Sequence, residues 1–248
     1  MRKPPGGTCS FSRPYTGLWK GDIAMSILCT AYLPDGIVMS ADSRMTVTKT
    51  NLMNPQSGKV VYTSSDNAQK LVLLNRVKVG ISACGDGAID DMLVCEYLRK
   101  FEREALYDDD GASAVAQRLQ QYYGSKIGCT FHVCGYEKDV PHAYRLAGGE
   151  LKRMNYNEQT GKVLWGMMTS GRQEAITRLL LTQPRPELVW DLMPLKDGID
   201  FCEFLVDLAG KYDRFMGDVP MCGGDTDTLV LAPEGASWYR HKIYKGRE

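Results

Sequence analysis

The chain has 248 residues, 44% hydrophobic and 24% charged, with thirty basic residues matched by thirty acidic ones. This composition excludes disorder, collagen and coiled coil, and the length is enough to bury the core of one large domain or two small ones. A formal charge of zero gives no field to draw a phosphate backbone or an anionic bilayer, so neither nucleic acid nor membrane is an expected partner.

No apolar run approaches the roughly 18 residues a membrane span needs. The first 24 residues lack the hydrophobic centre of a secretory signal. The protein is therefore expected in the cytoplasm. Its eight cysteines sit mostly in apolar stretches such as Ile27-Leu28-Cys29 and read as small buried hydrophobes in a reducing compartment. There is no CxxC pair, and the three histidines lack metal-type spacing, so no zinc site is expected.

Residues 1–24 are rich in Pro, Gly, Ser and Arg with no apolar period and are expected to lie outside the fold. With Met25 they form an extension, 1–25, ahead of one domain, 26–248. Ser26–Leu33 and Gly36–Ser40 are apolar strand-like runs joined by Pro34-Asp35-Gly36, turn chemistry that predicts a β-hairpin. After the ADSR string (41–44), residues 45–67 alternate Thr and Val, contain an Asn-Pro-Gln-Ser-Gly turn and read as a protruding hairpin. Lys70–Leu74 and Val77–Ala83 follow as strands about an Asn75-Arg76 turn.

From Ala88 the apolar period becomes helical, with Ile89, Met92, Leu93, Leu98 and Phe101 on one face of a helix ending near Leu106. A second helix is predicted over Ala112–Tyr123, entered through three aspartates and Gly111. Strands return at Ile127–Tyr136, His142–Leu146 and Leu151–Tyr156. Helices follow over Gly171–Leu181 and Ile199–Tyr212, and strands close the chain at Asp227–Ala232 and Ser237–Ile243. This order is neither alternating βαβ nor all-β, and predicts an α+β fold of two stacked antiparallel sheets with helices on both outer faces.

The strings SILCTAYLPDGIVMSADSR and QKLVLLNRVKVGISACGDGAIDD resemble the proteasome β-type branch of the N-terminal nucleophile hydrolases, which includes the bacterial HslV-like peptidases. The resemblance spans nearly all of residues 26–248 and is most specific at the front. It implies a four-layer αββα sandwich with the nucleophile at Ser26, the aspartate of the ADSR motif at Asp42, the catalytic lysine at Lys70 and the glycine turn at Gly85. Thr169-Ser170-Gly171 resembles a later GSG, and MCGGDTDTLVL resembles an SGG stretch. The family's DxxS pair is not reproduced: Cys222 stands in the serine's place and Asp218 lies one residue too far upstream. The resemblance further implies a peptide or unfolded-protein substrate, a homo-oligomeric ring and no cofactor, and leaves open whether an external ATPase feeds it. This chain itself carries no Walker motif.

The chemistry can be read from the residues as well. A serine hydroxyl needs an adjacent base, and an N-terminal α-amine with a pKa of about 8 can serve without histidine. Lys70 would disfavour protonation of that amine, and Asp42 would pair with Lys70 and fix it. Gly85, with Gly87 as the alternative, would bring a backbone N–H to the oxyanion. Ser170 would bond the amine or a water beside it. Arg44 reads as half of a structural ion pair and Cys29 as core. Two routes would make Ser26 terminal: translation starting at Met25, for which Lys20-Gly21-Asp22 can encode a ribosome-binding stretch, or autocatalytic cleavage. The alternatives are a non-catalytic scaffold of the same fold and a small-molecule amidase.

Overall fold

The structure is a computed structural model and describes residues 26–50, 59–183, 186–216 and 218–242. The expected extension, the Asn54–Gly58 turn and the end of the last predicted strand lie outside these. The chain first forms strands β1 (Ile27–Leu33), β2 (Gly36–Ala41), β3 (Met45–Thr50), β4 (Lys59–Ser65), β5 (Leu71–Leu74), β6 (Val79–Gly85), β7 (Ala88–Ile89) and β8 (Met92–Leu93). Helices α1 (Val94–Ala105) and α2 (Ala112–Tyr123) follow. Next come β9 (Cys129–Glu137), β10 (Val140–Ala147), β11 (Glu150–Arg153), β12 (Tyr156–Asn157), β13 (Lys162–Val163) and β14 (Gly166–Gly171). Helices α3 (Glu174–Leu181) and α4 (Leu195–Phe215) precede β15 (Asp227–Ala232) and β16 (Gly235–Arg240).

Two five-stranded sheets carry the fold, in the orders β14-β1-β2-β15-β16 and β11-β10-β9-β6-β5. Neighbouring strands in both are antiparallel. The architecture is thus mixed α and β, with several antiparallel sheets and four α-helices among the described residues. None of these helices is long and apolar enough to cross a membrane.

Strand β1 shows why the sequence folds this way. Successive side chains point to opposite faces. Ile27, Cys29, Ala31 and Leu33 pack against Cys202, Leu205, Val206 and Ala209 of α4, while Leu28 and Tyr32 pack towards Leu71, Cys84, Cys134 and Ala143 of the other sheet. A strand buried on both faces must be apolar throughout, so its sequence is a run rather than an alternation. The second sheet turns Val79, Ile81, Phe131 and Val133 towards α1 and α2, where Tyr97, Leu98, Phe101 and Leu119 meet them. Each such buried Leu, Ile or Phe contributes roughly 1.5–3 kcal/mol.

Three expectations are corrected. The first helix begins at Val94 rather than Ala88, because Asp90 and Asp91 take positive φ and turn β7 into β8. Aspartate tolerates that left-handed conformation, and the 89/92/93 spacing that reads as helical also fits a tight hairpin. Strand β14, not predicted, occupies Gly166–Gly171, and α3 starts only at Glu174. The last helix is longer than expected: it begins at Leu195, directly after the N-cap Pro194, and runs through Gly198 to Phe215.

Candidate active site

The β1–β2 hairpin has a two-residue turn, pairing Leu33 with Gly36 and Leu28 with Ala41. Its register brings Asp42, just past β2, beside Ile27. The Ile27 N–H donates to Asp42 Oδ1 at 3.0 Å, and the Asp42 N–H donates to the Ile27 carbonyl at 3.3 Å. Ser26 precedes β1 and is 2% exposed. Its carbonyl accepts the Arg172 N–H at 2.8 Å.

Asp42 is saturated. Its Oδ1 also accepts from Lys70 Nζ at 2.7 Å, while its Oδ2 accepts the Gly223 N–H at 3.0 Å and the Arg44 N–H at 3.2 Å. Asp42 is 2% and Lys70 9% exposed. A charge pair this deep persists only because hydrogen bonds to both groups offset their lost hydration. Lys70 enters from the residue before β5, where its carbonyl accepts the Ala83 N–H at 2.8 Å.

Gly85 ends β6 with φ +113°. A Cβ there would stand 2.1 Å from the Gly128 carbonyl oxygen, so no other residue fits this close crossing. Ser26, Lys70 and Gly85 converge on one cavity of about 300 Å³, which Gly87, Cys84 and Leu93 also line. Asp42 holds Lys70 from behind that wall.

The structure places Ser170 differently. It lies on β14 opposite Leu28 and is not among the residues lining the cavity. Its hydroxyl is 2.9 Å from His132 Nε2 and accepts from Arg145 Nε at 3.3 Å. His132 Nδ1 is in turn 2.9 Å from Thr30 Oγ1. Burial, and then the charge of Arg145, push the His132 pKa down to about 3, so the ring is neutral at physiological pH. The link from this strand to Ser26 is made by the next residue. Gly171, at φ +99°, would place a Cβ 1.9 Å from the Ser26 carbonyl oxygen.

Arg44 forms an ion pair at the cavity mouth, its Nε and a terminal nitrogen donating to Asp66 at 2.7 and 3.0 Å. Cys29 is fully buried against Cys202, and the hydrogen bond between the two thiols, then burial, raises its pKa well above the ordinary value. Burial, and then the charge of Asp42, likewise raise Cys222. Neither thiol is poised as a nucleophile. Among the described residues no group of three or more His, Cys, Asp or Glu could hold a metal ion.

Two contributors escape the sequence. Gly223, in the MCGGDTDTLVL stretch but given no role by the sequence, completes the shell of Asp42 from the loop before β15. The acid holding that loop is Asp213, not the exposed Asp218. Asp213 Oδ1 accepts from Arg172 Nε at 3.1 Å and from a terminal nitrogen of the same guanidinium at 2.5 Å. Its Oδ2 accepts the Met221 N–H, and the Cys222 N–H at 3.1 Å. The missed signal is periodic: Asp213 continues the buried stripe Cys202, Leu205, Val206, Ala209 of α4, an acid on an apolar face.

Comparison with known proteins gives a fold and no family. No family model matches the chain, and no curated protein matches it. Among solved structures the chain matches the Gly-1 mutant of Anbu from Hyphomicrobium sp. strain MC1, at a TM-score of 0.57. Its fold is similar to that of Anbu. The match covers 90% of this chain and 88% of that one at 14% identity, and so speaks for architecture alone. The sequence resemblance to the proteasome β-type and HslV-like family is thereby overturned.

Proposed function

We propose that the protein is a hydrolase of peptide bonds that uses Ser26 as an N-terminal nucleophile once residues 1–25 are removed. The observation that carries this reading is the buried Lys70–Asp42 pair, 2.7 Å apart, set behind a cavity that Ser26 and Gly85 also line. The α-amine of Ser26 takes the hydroxyl proton as Oγ attacks the substrate carbonyl. Lys70 disfavours protonation of that amine, and Asp42 fixes the lysine through a shell of four donors. A backbone N–H at Gly85 meets the oxyanion, a contribution worth about 10²–10³ in rate where measured elsewhere. The amine then returns its proton to the leaving nitrogen, an ester forms at Ser26, and water releases it. Ser170 acts from beside this centre, through the strand that sets the Ser26 carbonyl.

The three apolar clusters support a four-layer αββα arrangement, with α1 and α2 outside one sheet and α3 and α4 outside the other. The seven described cysteines are all free and buried, which suits the cytoplasm. Assembly of identical copies belongs to the same proposal, and native mass spectrometry checks it. The engagement of the Ser170 hydroxyl by His132 and Arg145 favours a second reading, a non-catalytic subunit of this fold.

One experiment separates the two. Protein trimmed to Ser26 is treated with a peptide epoxyketone, whose ring closure needs a hydroxyl and an amine on one residue, and analysed by mass spectrometry. An adduct on Ser26 is the expected result. A trimmed, folded chain that takes no adduct and cleaves no peptide amide is the scaffold.

A further inference from the structure

Two segments far apart in the sequence each deliver one backbone N–H to the site. The turn after β14 gives the Arg172 N–H to the Ser26 carbonyl, and the loop before β15 gives the Gly223 N–H to Asp42 Oδ2. A single carboxylate joins them. Asp213 Oδ1 serves only the Arg172 guanidinium among its hydrogen bonds described above, and Oδ2 serves only the amides of Met221 and Cys222.

We propose that Asp213 is a positioning residue, which sets the Ser26 carbonyl through Arg172 and the Asp42–Lys70 pair through the 221–223 loop. This rests on the hydrolase reading above, since Ser26 and Lys70 are what it positions. Asp213 does not line the cavity and touches no reacting atom. Its leverage is geometric: displacement of a reacting group by about 1 Å can cost about 10²-fold in rate. The carboxylate suits the task because it accepts on both oxygens and carries the charge that balances Arg172.

Asp213→Asn tests this, because asparagine keeps the shape and loses one acceptor. Whichever way the amide is turned, its NH₂ faces donors, either the guanidinium or the two backbone N–H groups. A role in packing alone predicts no effect. The positioning role predicts that kcat for a fluorogenic peptide amide falls about tenfold or more while KM stays within about twofold. Asp110→Asn is the control. It disturbs a carboxylate that pairs with Arg118 at 3.0 Å and accepts the Tyr107 N–H at 2.8 Å, next to the other sheet's helices. It is expected to lower stability and leave kcat unchanged.

Hydrogen exchange supplies a readout that needs no activity. In Asp213→Asn the amides of Arg172, Gly223 or both should exchange faster, with those of β6 and β9 unchanged. Should Asp213→Asn not fold, Arg172→Met replaces it: kcat should fall and exchange should quicken at residue 172 but not at 223. Wild-type kcat with unchanged exchange in the folded variant overturns the proposal, as does an equal loss of kcat in Asp110→Asn. If the trimmed wild type neither hydrolyses amides nor takes an adduct, the hydrolase reading fails, and exchange alone decides whether Asp213 holds the two segments.

Discussion

Asp42 and Asp213 are both buried carboxylates that accept from four donor atoms, yet the chain builds them from different parts of the fold. Two of the donors to Asp42 come from Ile27 and Arg44, in or just past the first hairpin, while Lys70 comes from the other sheet and Gly223 from the loop before β15. The donors to Asp213 come from Arg172, Met221 and Cys222, two segments that meet only when β14 docks on β1 and the loop after α4 folds back. Asp42 is held by a lysine just ahead of β5 in the opposite sheet, whereas Asp213 binds two loops on the helix side of β1. The front of the site is therefore an electrostatic unit between sheets, and the rear is a backbone-shaping unit at a helix end.

Substitutions should widen that contrast. Asp42→Ala is expected to have the largest effect, because it leaves the lysine ammonium buried without its carboxylate. Stability should drop by about 3–5 kcal/mol in chemical denaturation, and adduct formation at Ser26 should vanish even in the folded fraction. Retention of near-wild-type labelling would dissolve the distinction between the two carboxylates. Gly85→Ala comes next. A methyl 2.1 Å from the Gly128 oxygen forces the β6–β9 crossing apart, so a loss of about 1–3 kcal/mol and a fall in kcat of about 10²-fold are expected from denaturation and steady-state kinetics.

His132, on β9 of one sheet, meets Thr30 and Ser170 of the other and gives a pH-dependent prediction. Its folded pKa of about 3 lies below the ordinary 6.5, so between these values the unfolded chain binds a proton that the folded one does not. The contribution is fully present above about 6.5 and is lost as pH falls towards 3. His132→Gln should flatten the decline of melting temperature over that window relative to wild type, by an amount on the order of a few kcal/mol at its acid end. Parallel curves for the two proteins would refute it. The difference between them isolates this ring from His142, whose pKa burial also lowers. The smallest effect is expected at the mouth, where Asp66→Ala removes an ion pair whose aspartate is 46% exposed. Thermal melts should register at most about 1 kcal/mol, less at high salt.

What could be read before the structure follows the same division. Ser26, Asp42, Lys70 and Gly85 are candidates that the resemblance, and not residue spacing, supplies; they sit in or next to strands β1, β2, β5 and β6, whose apolar runs and turns are legible in the sequence. Strand β14 was illegible because two methionines and a glycine at each end carry little β-propensity, and its identity depends on pairing with β1. Asp213 lies one residue past the predicted end of the last helix, so its place on the buried face of α4 follows only from the longer helix of the structure.

The buried thiols described above also make the molecule its own unfolding clock. In protein trimmed to Ser26, Cys29, Cys134, Cys202 and Cys222 are fully buried and away from the cavity, so their alkylation at neutral pH should be negligible until a segment opens. The order in which Cys29, Cys134, Cys202 and Cys222 take up a thiol reagent would then record which layer of the protein comes apart first.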